Sequence, residues 1–164
     1  MMPRYQDLDP ASIKKILAYV GVIDVHAKDV AIFRIAGSGL RDIFGFDPTG
    51  KNAIDLVPQA HRLRRAYRLF LPATRPCGYL GRSKFVYSSG LGDVFESIGL
   101  PLETPDPASR NLVVFTLESL LGRRWQRQSG SAIDNPENDL HFFDIGAGIP
   151  PTVDAPADFF ATPD

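Results

Sequence analysis

The sequence is poor in the residues that build covalent frameworks and metal sites. Cys77 is the only cysteine among 164 residues, so no intrachain disulfide exists. The three histidines, His26, His61 and His141, are scattered and lack HxxxH or CxxC spacing for zinc. Long apolar runs are missing too. Stretches such as LVVFTL at Leu112 to Leu117 fall far below the roughly 18 residues a membrane-spanning helix requires. The opening MMPRYQDLDP has no basic-then-apolar leader, so the expectation is a cytoplasmic protein with no membrane partner. Neither GxSxG nor a Walker-type GxxxxGK[ST] nor GxGxxG occurs. Gly37 and Gly39 in GSGLRDIFG read as backbone punctuation, because the later acid of a dinucleotide fold is absent. Asp42, Asp47 and Asp55 have nothing to pair them, so general acid or base work is unsupported and no enzyme is expected.

What is present is an ordinary globular composition, 44% apolar and 23% charged, of a length that suits one module with a tail. Its charge is uneven. Residues 1–127 hold all 18 Lys and Arg against 12 acids, whereas residues 128–164 hold seven acids and no Lys or Arg. Arg62, Arg64, Arg65 and Arg68 cluster, as a phosphate-binding surface would require. The plainer reading makes them the solvated face of an amphipathic helix, with Tyr67 and Phe70 on the buried face and the acidic tail free to fold back and screen the charge. Nucleic acid is accordingly not the expected partner.

Along the chain, Ile13, Ile16, Leu17 and Val20 recur at helical spacing after Asp9-Pro10, which predicts a short N-terminal helix. YVGVIDV and VAIFRIAG predict two strands joined by a turn at Ala27 to Asp29, with Asp24 and Arg34 able to pair across the hairpin. Leu40, Ile43 and Phe44 share one face of a short helix ending at Gly45. Leu63, Ala66, Tyr67 and Phe70 define the main helix, expected to stop near Leu71 because Pro72 follows. CGYLGRSKFVYSS, VFESIGLPL and NLVVFTLESL are extended, and their short links demand an antiparallel meander. The fold class is therefore α+β: five antiparallel strands, with helices inserted between the second and third and covering one face. Beyond Arg127 the chain is rich in Pro, Gly and Asp and specifies no element, so disorder is the expectation for the acidic tail. Its aromatic pairs, Phe142-Phe143 and Phe159-Phe160, would suit a docking segment.

This order, carried by DLDPASIKKIL leading into VGVIDV, then FRIAGSGLRDIFGFDPTGKNAIDL, RPCGYLGRSKFVYSSG and the strand end IGLPLE, resembles the PAS domain, and more narrowly the single-domain PAS proteins common in alphaproteobacteria. The domain is placed at residues 7–121 and the Pro/Gly-rich tail at 122–164. The resemblance implies a further aromatic-containing segment ahead of the DLDP stretch, and the chain departs from it in that six residues precede Asp7. It also implies a stand-alone sensory or regulatory module in signal transduction, with a cavity between the main helix and the inner sheet face that takes a small molecule, and a protein partner or a homodimer. The candidate lining is Phe33, Ile35, Phe44, Leu63, Tyr67, Phe70, Phe85 and Tyr87, residues that would equally make a plain core; the choice rests on period two, where a slip of one residue exchanges the set. No cofactor is assigned. Cys77 in RPCGYLG does not match the photoreactive flavin motif, and His61 beside Arg62 reads as a solvated helix residue rather than a haem ligand. Two alternatives remain: a small pocketed α+β enzyme such as an isomerase or hydratase, and a binder of nucleic acid or another anionic partner through the Arg62 to Arg68 face.

Overall fold

β-Branched runs on either side of a tight turn form the hairpin β1 (Val20–Ala27) and β2 (Val30–Ala36). Helices α1 (Ser38–Phe44) and α2 (Gln59–Thr74) follow, then β3 (Cys77–Val86), β4 (Gly92–Leu102), β5 (Arg110–Leu117) and β6 (Ile133–Asp144). The structure is a computed structural model that describes residues 2–86, 92–104, 110–117, 133–152 and 154–161. The strands make one sheet in the order β2-β1-β5-β4-β3-β6, and every neighbouring pair is antiparallel. The expected meander and the insertion of both helices between β2 and β3 are present.

The hairpin departs from simple alternation. Val22 lies opposite Ile35 and Ile23 opposite Phe33, so Arg34 is an extra residue in β2. This bulge reverses the phase of the strand beyond it. Phe33 stays on the inner face at 3% exposure, Ala36 takes the next inner position, and Ile35 turns outward at 42%. The expected ion pair forms even so: Arg34 Nε donates to Asp24 Oδ2 at 2.7 Å.

Gly45, in the left-handed region at φ 74°, ends α1. Asn52 then pins the following loop to the hairpin, its side-chain amide donating to the Asp29 carbonyl oxygen at 2.8 Å and its oxygen accepting from Ala31 N at 3.1 Å. Helix α2 runs through Pro72 to Thr74, past the expected stop at Leu71. A proline this close to the end removes one ladder bond. The turn around it still closes, with Arg75 N donating to Leu71 O at 2.8 Å and the Thr74 hydroxyl to Phe70 O at 3.1 Å.

The predicted N-terminal helix is replaced by successive turns that end in a 3-10 turn at Leu17–Tyr19. Asp9 accepts from Ala11 N and the Ser12 hydroxyl, at 3.0 and 2.6 Å, which fixes the first of these turns. The apolar residues still find a surface. Tyr5, Leu8, Ile13 and Ile16 pack on Val20, Val22 and Leu102 on the outer sheet face, capping the chain's own sheet.

The acidic tail, expected to be disordered, supplies the sixth strand and a docked segment. β6 pairs with the outer side of β3, whose N–H and C=O groups would otherwise lack partners. Leu140 and Phe142 alternate inward, into the cluster that also holds Phe159.

Candidate functional site

Helix α2 lies over the inner sheet face, and Ile23, Phe33, Ile43, Leu69, Tyr79 and Phe95 belong to the buried cluster at this interface. Of the eight expected lining residues, Phe33 and Tyr67 are buried here, while Phe44, Leu63 and Phe70 are half-buried against the same cluster. Phe44 meets Phe33 edge to face, centroids 6.1 Å apart. Ile35 does not belong to the set, because the Arg34 bulge turns it to the other face. Phe85 holds a β3 position opposite Asp93 and Asp134, its side chain lying outside the described residues, and Tyr87 lies outside them altogether. Sequence reasoning passed over Leu69, Tyr79 and Phe95. Ala66, Leu69 and Ala73 mark the buried stripe of α2 at i, i+3 and i+7, and that spacing was there to be read.

Polar groups enter this interior at stated points. Arg68, expected on a solvated face, is 4% exposed and places its guanidinium 5.3 Å from the Tyr79 ring centroid. A delocalised, weakly hydrated cation tolerates such a seat over an aromatic face better than an ammonium would. Ser83 and Ser97 are buried on the neighbouring strands β3 and β4, the Ser97 hydroxyl lying 3.5 Å from the Gly81 carbonyl oxygen to which it donates. Cys77 is fully buried, and desolvation pushes its thiol up to about 11. That removes the thiolate a nucleophile or metal ligand needs at neutral pH. Among the described residues no cluster of three His, Cys, Asp or Glu could hold a metal ion.

Two of the remaining arginines of α2 are engaged within the chain. Arg62 pairs with Asp55 at 3.0 Å, and Arg64 reaches Asp154 of the tail at 3.8 Å. Beside them the tail crosses the helix. The Tyr67 hydroxyl donates to the Thr152 carbonyl oxygen at 3.2 Å, and burial raises the Tyr67 pKa. Phe159 stands edge-on to Tyr67 and Phe70, with centroids 5.4 and 5.8 Å away. The buried Lys28 closes the other side, its Nζ lying 5.4 Å from the Phe159 centroid and 5.9 Å from that of Phe70. Burying one phenylalanine contributes about 1.5–3 kcal/mol. Ordering each tail residue costs about 1–2 kcal/mol.

Comparison with known proteins now adds to the geometry. A family model described as PAS domain matches residues 1–80. No curated protein matches the chain. Among solved structures, a PAS domain from Colwellia psychrerythraea is similar at 10% identity and a TM-score of 0.47, over 69% of this chain and 98% of that one.

Proposed function

We propose that this chain, whose residues 1–80 match a PAS domain model, is a cytoplasmic, non-catalytic sensory or regulatory module that binds a small molecule between α2 and the sheet and passes the signal to a protein partner. One observation carries the reading: α2 encloses an aromatic interior into which a few polar groups, Arg68, Ser83 and Ser97, are brought under burial. Small-ligand sites combine apolar walls with a few convergent polar groups in this way. The reading of α2 as a nucleic-acid surface has less support, since Arg62 and Arg64 pair with Asp55 and Asp154 and Arg68 is buried.

Native mass spectrometry of the full-length chain tests the reading, together with its absorption spectrum. A mass above that of the polypeptide, lost on denaturation, is the expected result and releases the ligand for identification. A bare polypeptide mass, with no melting shift against a library of small metabolites, would overturn the small-molecule assignment.

A further inference from the structure

The cleft that holds Phe159 is built by the β1–β2 turn through Lys28 and helix α2 through Tyr67 and Phe70, and Phe142 of β6 stands edge-on to the same Tyr67 ring. What fills it is one contiguous segment using three kinds of contact. Phe159 enters at 7% exposure, the Thr152 backbone oxygen accepts from Tyr67, and Asp154 faces Arg64, while Asp158 and Phe160 on either side of the anchor are exposed. None of these contacts depends on the segment being joined to β6. An aromatic anchor in a pocket with a rim of complementary charge is the anatomy of a peptide-docking site. The charge division agrees, since every Lys and Arg lies within residues 1–127 and the segment is acidic.

We infer that this cleft is a docking site for an acidic segment of a partner protein that carries an aspartate and, five residues later, a phenylalanine, and that the chain's own residues 152–160 are its built-in competitor. Release of the tail opens the cleft, and a partner segment with the same pattern takes its place. The inference rests on the regulatory reading proposed above and names the chemistry of the partner.

The test uses the full-length chain and a fluorescein-labelled peptide of residues 151–161, followed by anisotropy. Wild type, with its cleft filled, is expected to bind the peptide at least tenfold more weakly than Phe159→Ala. Asp154→Arg, which alters an exposed residue and leaves the core intact, should also bind more tightly than wild type. Lys28→Ala in the Phe159→Ala background should lose the gain, and a peptide with alanine at the 159 position should fail to compete. Circular dichroism identifies any variant that does not fold, and Asp154→Arg then carries the comparison. Equal binding by wild type and Asp154→Arg, or none by either, overturns the inference. So does a wild-type dimer that Phe159→Ala abolishes, which would make a second copy the occupant. A chain that retains a small ligand yet ignores the peptide overturns this inference alone and leaves the ligand reading standing.

Discussion

Tyr67 binds the tail twice over: its hydroxyl donates to the Thr152 carbonyl oxygen at 3.2 Å, and its ring meets Phe159 edge to face at 89°. The two contacts are separable. Tyr67→Phe keeps the ring and loses the hydrogen bond, an expected cost of about 0.5–1.5 kcal/mol. Amide exchange in residues 154–161 should quicken while α2 keeps its protection. If exchange in the tail is unchanged, the hydroxyl does not hold it.

The Arg34 bulge makes Phe33 and Ile35 unequal although both are large and apolar. Phe33→Ala, which empties an inner position, should cost about 3–5 kcal/mol in urea unfolding. Ile35→Lys, at an exposed outer position, should stay within about 0.5 kcal/mol of wild type. Similar losses at the two sites would mean that β2 alternates without the bulge.

Tyr79 lies directly opposite Gly99, and a Cβ added there would come within 2.0 Å of the Tyr79 ring. The ring covers the glycine, as aromatic residues do across a strand pair. Gly99→Ala must push a fully buried ring out of place, at an expected cost of about 1–3 kcal/mol. Thermal unfolding reads this directly, and an unshifted midpoint would show that the ring moves freely.

Burial of Cys77 makes stability depend on alkaline pH. Below about 9, the ordinary thiol value, the group is protonated in both folded and unfolded chains and contributes no slope. Between about 9 and about 11 the unfolded thiol ionises while the folded one does not, so stability falls as pH rises through that window. The melting temperature of wild type should therefore drop more between pH 8 and pH 10.5 than that of Cys77→Ala. Identical slopes would locate the alkaline loss elsewhere. Alkylating reagents at pH 8 should modify Cys77 after unfolding and not before.

Local pattern carried the hairpin, α1, the body of α2 and the order of the meander, because each follows from spacing within a dozen residues. The Asp24–Arg34 pair was legible for the same reason. What escaped the sequence depends on distant partners. Ile13 and Ile16 have helical spacing, yet the segment runs in successive turns and the side chains settle on β1 and β4. Arg34 bears no mark of being the extra residue of a bulge, so period two alone points Ile35 inward. The tail lacks a period of its own along most of its length; β6 exists because β3 offers it an edge, and Phe159 is buried because Lys28 of the hairpin turn and Tyr67 and Phe70 of α2 make its seat. Arg68 looks like its three neighbours on paper, and the Tyr79 ring beneath it distinguishes it.

The way the sheet's two ends are finished bears on self-association. At β2, the loop at 50–53 already occupies backbone groups, with Phe33 N donating to Lys51 O at 3.0 Å and Ala53 N to Ala31 O at 2.7 Å. At β6, pairing to β3 slips between Arg82 and Lys84, so that residues 136–138 stand opposite Ser83 alone, and Pro136 among them has no N–H to offer a newcomer. Runaway stacking of one molecule's strands onto the next is thereby hindered at both margins.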